Sequence, residues 1–128
     1  MRSPPEALRA ARGAVAERAG RAAEARARDL LEAEGWRVLA ARARTPAGEI
    51  DLIAERAGLL AFVEVKARSS LREAAHALSA RQRARLLAAA EAWCAAHPGH
   101  GAAGMRFDVI LIAADGAARR IADAFRLE

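Results

Sequence analysis

Lys66 is the one lysine in this chain, and arginine fills the other twenty positions of the Lys/Arg type. It closes the run Phe62-Val63-Glu64-Val65-Lys66, a short way after Gly48-Glu49-Ile50-Asp51. Lysine offers a compact ammonium whose pKa moves readily on burial, whereas the guanidinium of arginine stays protonated. If the chain turns at Ala57-Gly58, Asp51 falls opposite Glu64 and Glu49 falls opposite Lys66. Directly opposed side chains share one face of a sheet, as do residues two apart in one strand. All four side chains would then point the same way, with Ile53 and Phe62 further along. Opposed like charges are destabilising. The Asp51/Glu64 pair therefore asks for a shared proton, a cation between the carboxyls, or a different register. A hard divalent ion suits the second option, since Mg²⁺ is held by one or two carboxylates together with waters and phosphate oxygens. Such a set, with a lysine beside it, can hydrolyse a phosphodiester. The same residues could equally be plain cross-strand contacts on a solvated face.

Several elements must position these groups. Ala23, Ala27, Leu30 and Leu31 recur at helical spacing, which predicts a helix from about Val15 or Gly20 to Glu34, stopped by Gly35. Residues 1–19 form a basic extension, read as helical or flexible, and 20–128 form a single domain. Trp36–Ala43 reads as a strand, Thr45-Pro46-Ala47-Gly48 as a turn, and Glu49–Arg56 and Leu59–Ala67 as a hairpin. Residues 68–78 are polar and irregular, a loop or a short helix. Ser79-Ala80-Arg81-Gln82 has the pattern of a capping box. It opens a second helix with a Leu86, Ala89, Ala90, Trp93 stripe that ends at His97-Pro98-Gly99. Met105–Ala114 and Ala117–Phe125 complete the set as strands around Asp115-Gly116. This order predicts a mixed α/β or α+β domain, helices packed on a sheet of about five strands.

At 128 residues the chain is one domain by size. Its net charge of +5 suits a polyanionic partner such as nucleic acid, although a general arginine bias would give the same figure. A lone cysteine, Cys94, leaves no internal disulfide and fits a reducing compartment. The N-terminus runs into Ala and Arg rather than an apolar stretch, and no run is long enough to span a bilayer. A cytoplasmic protein without membrane contact is the expectation.

Gly48-Glu49-Ile50-Asp51-Leu52-Ile53, then Phe62-Val63-Glu64-Val65-Lys66-Ala67-Arg68, then Arg106-Phe107-Asp108-Val109 resemble the YraN-like bacterial family. That family is similar to the restriction-endonuclease-like fold and to archaeal Holliday junction resolvases. The resemblance runs from about Gly20 to Phe125. It implies an active site of Asp51, Glu64 and Lys66, with Glu24 as the acid of the first helix. It also implies Mg²⁺ or Mn²⁺ held by Asp51 and Glu64, DNA as substrate, branched or otherwise structured, and a homodimer. Where the family shows a lysine near the start of the second main helix, this chain has Gln82, which could touch the phosphate or merely complete the capping box. Fold alone does not establish activity, so a non-catalytic nucleic-acid-binding protein is the alternative.

Arg68, Arg81 and Arg83, with Gln82, are the candidate phosphate contacts, and Arg72 and Arg85 lie close by in sequence. A solvated helix face would use the same arginines. Tyrosine is absent and Trp and Phe are few, which argues against a base-stacking platform. His76, Cys94, His97 and His100 match no strong zinc spacing, and the last two read better as part of a helix stop. Asp108 and Asp123 fall opposite each other if Asp115-Gly116 turns tightly, but Asp108 reads as structural, paired with an arginine.

Overall fold

The computed structural model describes residues 6–70 and 79–122, with side chains from residue 20 onward. Helix α1 spans Glu6–Ala33, β1 Arg37–Thr45, β2 Gly48–Arg56, β3 Leu59–Arg68, α2 Ala80–Ala96, β4 Gly104–Ala113 and β5 Ala118–Ile121. The first helix thus begins well before Val15 and runs through most of the basic extension. His76, Arg72, Asp123 and Phe125 lie outside the described residues, as does most of the 68–78 stretch. Among the described residues, no helix is long and apolar enough to cross a membrane.

The five strands form one sheet in the order β1-β2-β3-β4-β5. All neighbours are antiparallel except β3 and β4, which run parallel. A parallel pair needs a crossover, and α2 lies on that path. Helix α1 covers one face: Ala23, Ala27 and Leu31 are buried with Trp36, Leu52, Ala61, Val63 and Ile110. Helix α2 covers the other, where Leu86, Ala89, Ala90 and Trp93 meet Ile53, Leu60, Phe62 and Phe107. Small alanines on both helices let their backbones approach the sheet. Covered on both sides, β3 reads as an unbroken apolar run from Leu60 to Val63.

Helix ends follow local chemistry. At the end of α1, Gly35 adopts φ +88°. The N–H groups of Gly35 and Trp36 return to the carbonyls of Glu32 and Leu31, both at 3.0 Å. Ser79 caps α2 with the reciprocal bonds of a capping box. The Ala57-Gly58 turn takes positive φ at both residues, 51° and 79°, the twist that two-residue hairpins need.

The β4–β5 hairpin differs from the tight turn expected at Asp115-Gly116. Ala113 N–H donates to Ala117 O at 2.8 Å, leaving a three-residue loop with Gly116 at φ +87°. Asp115 accepts from Ala117 N–H at 2.9 Å, which fixes the longer loop. The described pairing is therefore one residue off the expected one: Val109 faces Ile121.

Candidate functional site

Register in β2–β3 holds as expected from Arg56↔Leu59 to Leu52↔Val63, and there the ladder stops. The next hydrogen-bonded pair, two residues on, would set Ile50 opposite Val65. Instead, Val65 N–H donates to the Asp51 Oδ2 atom at 2.8 Å. A side-chain carboxylate has taken the place of a backbone acceptor.

The reason lies in a fault that crosses β1 and β2. Ala41 pairs with Leu52, and Ala43 pairs with Ile50. Residues two apart in a strand should face the same way. Yet Leu52 packs on the α1 side, while Ile50 and Ala43 pack on the α2 side. Arg42 and Asp51 sit between these pairs, where the strands change face. Arg42 takes φ +51°, a left-handed backbone that arginine rarely adopts. The expected common face for Glu49, Asp51, Glu64 and Lys66 is accordingly corrected. Asp51 turns into the seam between β2 and β3, and the exposed Glu49 lies 4.0 Å from Arg44 rather than against Lys66.

Lys66 and Glu64 do come together. Lys66 Nζ lies 3.4 Å from Glu64 Oε1, both side chains nearly buried. Their strand alternation puts them beside the Asp51 seam, and Glu64, Glu24 and Lys66 all act electrostatically on Asp51. Burial is the largest influence on that carboxyl, followed by repulsion from Glu64. The Val65 N–H and Lys66 oppose them, and the net effect raises it from 3.8 to about 6.

Glu24 reaches the same place from α1. A cleft of about 300 Å³ is lined by Gly20, Glu24, Asp51, Val65, Ala67 and Arg68. Glu24 is not free within it, because Arg42 Nε donates to its Oε2 at 2.8 Å. Arg68, at the end of β3, is exposed and donates to its neighbour's carbonyl, Ala67 O, at 2.8 Å. It also borders an adjoining apolar cavity of about 460 Å³ between α1 and the ends of β3 and β4.

The candidate phosphate contacts on α2 are less gathered. Arg81 and Arg83 are exposed on its first turn. Gln82 spends its carboxamide oxygen on Ser79 N–H at 2.8 Å. Arg85 is brought nearest to the Gly48–Asp51 segment: a Cβ at Gly48 would lie 3.3 Å from its stem. The residue that sequence reasoning missed is Arg42. Its only sequence signal is its place opposite Asp51 across a strand pair, which an alanine-rich β1 hides.

A divalent ion can be tested against this donor set. Among the described residues, no group of three or more His, Cys, Asp or Glu could hold a metal, so a closed protein cage is not present. Asp51 and Glu64 are two carboxylates whose mutual repulsion is only partly offset by Lys66. That fits an ion taken with waters and phosphate oxygens as its other ligands. Among the described residues, His97 and His100 do not form a rival centre. His97 stacks on Trp93 at 4.0 Å between ring centroids, and His100 Nδ1 lies 3.0 Å from Glu55. Cys94 is half-buried against the α2 core, and burial raises its thiol pKa.

Asp108 is structural, as expected. It is fully buried, with Arg120 at 2.7 Å and Arg106 at 3.1 Å. Arg120 also pairs with Glu34 at the end of α1. These two arginines and Arg56 flank the Trp36 ring at 4.5–5.3 Å.

A five-stranded mixed sheet between two helices, with an acidic residue and a Glu-x-Lys run meeting where two strands part, is an α+β domain consistent with the restriction-endonuclease-like fold. The chain belongs to the family described as "Uncharacterised protein family UPF0102", whose model matches residues 23–112. A UPF0102 protein of Granulibacter bethesdensis is 57% identical over 117 residues, covering 91% of this chain and 74% of its own. A UPF0102 protein of Bradyrhizobium sp. ORS 278 is 55% identical over 111 residues, covering 87% of this chain and 79% of its own. One of Rhodopseudomonas palustris CGA009 is 52% identical over 111 residues, 87% and 85% of the two chains.

Proposed function

We propose that this protein is a metal-dependent nuclease that hydrolyses phosphodiester bonds in DNA, with branched or otherwise structured DNA as its substrate. The observation that carries the reading is the opened seam, where the Asp51 carboxylate replaces a ladder acceptor beside the Glu64–Lys66 pair. A merely structural hairpin has no reason to interrupt its own hydrogen bonds with a desolvated carboxylate set among like charges.

In this mechanism Asp51 and Glu64 would hold Mg²⁺ or Mn²⁺, which would supply polarisation of the phosphoryl oxygens and a more acidic attacking water. Lys66, kept in place by Glu64, offers its N–H groups to the attacking water or to charge developing on the phosphate. Glu24 would orient that water once it leaves Arg42. Water oxygen bonds to phosphorus and gives up a proton, the bond to the leaving oxygen breaks, and that oxygen takes up a proton in exchange. Arg68, Arg81 and Arg83 hold flanking phosphates, which gives affinity without sequence preference.

The alternative is a non-catalytic nucleic-acid-binding protein. It is favoured by one observation: Glu24 and Glu64 are each already paired with a cation. Cleavage of labelled single-stranded, duplex, flap and four-way DNAs, in Mg²⁺ or Mn²⁺ against EDTA, separates the two readings. The nuclease cuts in metal, loses at least about a hundredfold in rate in Asp51→Asn and Lys66→Ala, and keeps DNA binding in Lys66→Ala. Binding with no cutting of any substrate would leave the non-catalytic reading in place.

A further inference from the structure

Arg42 enters the mechanism above only as the partner that Glu24 leaves, yet its position is unusual in three respects. Its backbone is left-handed at φ +51° in a strand, without the freedom that glycine has there. It sits at the fault where β1 and β2 change face, across from Asp51. Its side chain is 43% exposed, yet the guanidinium donates to Glu24 at 2.8 Å instead of extending into solvent. Asp51 of the same cleft and the exposed Glu49 outside it add to the negative field around the guanidinium.

We propose that Arg42 is the resident counter-ion of the acidic cleft: it occupies Glu24 when no divalent cation is bound, yields that carboxylate when one arrives, and then turns to a phosphate of the bound strand. The inference rests on reading the cleft as a cation site. A divalent ion held at Asp51 and Glu64 would repel a guanidinium kept beside it on Glu24, so ion binding and the Arg42–Glu24 pair compete. The pair is well suited to yield. It is solvent-accessible on the Arg42 side, where ion pairs contribute little to stability. A released guanidinium at the cleft mouth would meet phosphate with a planar donor fork.

Mn²⁺ binding to the full-length protein tests this without reference to cleavage, read by the loss of the free-ion electron paramagnetic resonance signal. Arg42→Ala and Arg42→Gly should each bind Mn²⁺ about three- to tenfold more tightly than wild type, and Arg42→Lys should stay near wild type. Arg42→Gly suits the left-handed backbone, so it keeps the test valid if the alanine variant folds poorly. In Mg²⁺, DNA affinity of Arg42→Gly should fall, with the salt dependence reduced by about one phosphate contact. Equal Mn²⁺ affinity in wild type and Arg42→Gly, with binding abolished in Asp51→Asn, would overturn the counter-ion role and leave the metal site standing. No Mn²⁺ uptake by any of these proteins would overturn both.

Discussion

Two buried aspartates in this molecule have opposite surroundings. Asp108 is wholly enclosed and is met by guanidinium groups from Arg106 and Arg120, with Glu34 and Trp36 completing the cluster. Asp51 is largely desolvated, yet among the described residues its hydrogen-bond partner is a single backbone N–H, and two further carboxylates press on it. Both sites are costly to build from polar groups. One is compensated from within the chain, and the other is left wanting positive charge. A carboxylate that folding fully satisfies is committed to the fold. One that folding leaves unsatisfied is available to something that arrives later.

The largest effect should come from removing the compensated acid. Asp108→Ala leaves Arg106 and Arg120 without their shared partner, and burial already lowers the Arg120 pKa from its ordinary value. Breaking a buried pair from one side costs about 3–5 kcal/mol. The urea midpoint of Asp108→Ala should fall accordingly, with an unchanged denaturant slope if the fold persists. A loss under about 1 kcal/mol would mean that the cluster holds its charges as loosely as a surface pair does.

Asp51 should behave in the opposite sense. Its carboxyl is raised from 3.8 to about 6 in the folded chain, so between these values the folded state keeps a proton that the unfolded state releases. The folded protein is therefore relatively favoured at low pH, and stability falls as pH rises from about 4 through about 6. Asp51→Asn keeps an oxygen for the Val65 N–H and never charges. Above pH 6 it should be more stable than wild type by about 1–3 kcal/mol, a gain that vanishes towards pH 4. Chemical denaturation of both proteins at a series of pH values measures this. Saturating Mn²⁺ should shrink the gap at pH 7 by stabilising wild type alone. Parallel pH curves for the two proteins would show Asp51 to be as well compensated as Asp108.

Most of this division could be read from residue order. The α2 stripe of Leu86, Ala89, Ala90 and Trp93 is buried as its spacing implies, because a 3.6-residue period has one way to meet a flat sheet. The register from Arg56↔Leu59 to Leu52↔Val63 follows from the Ala57-Gly58 turn, although alanine is an unusual occupant of its left-handed first position. Extrapolation failed where backbone geometry departs from regular alternation. No residue type announces that Arg42 will take φ +51°, or that Ile50 and Leu52 will face opposite ways. The seam at Asp51 comes from tertiary packing: α1 and α2 each claim alternate sides of the sheet, and the strands break step to satisfy both. The β4–β5 loop failed for a smaller reason, since Asp-Gly serves two-residue and three-residue turns alike and the Asp115 side chain selects the longer one.

Gln82 sharpens the comparison at the low end of the energy scale. Its position near the start of α2 made it a candidate for phosphate contact, but its oxygen is already held by Ser79 N–H, and its own N–H goes to Ser79 Oγ at 3.1 Å. By the logic that separates Asp108 from Asp51, a group so satisfied belongs to the fold. Gln82→Ala should cost about 0.5–1 kcal/mol, much like Ser79→Ala, because each removes half of one capping box. DNA affinity should stay within about twofold of wild type. Arg81→Ala, one residue earlier and exposed, should do the reverse: near-neutral stability, weaker binding, and a salt slope lower by about one. Thermal unfolding and salt-dependent binding of the three variants give both readouts. A Gln82→Ala protein with full stability but weakened binding would place this side chain with Asp51, among the groups that folding leaves available.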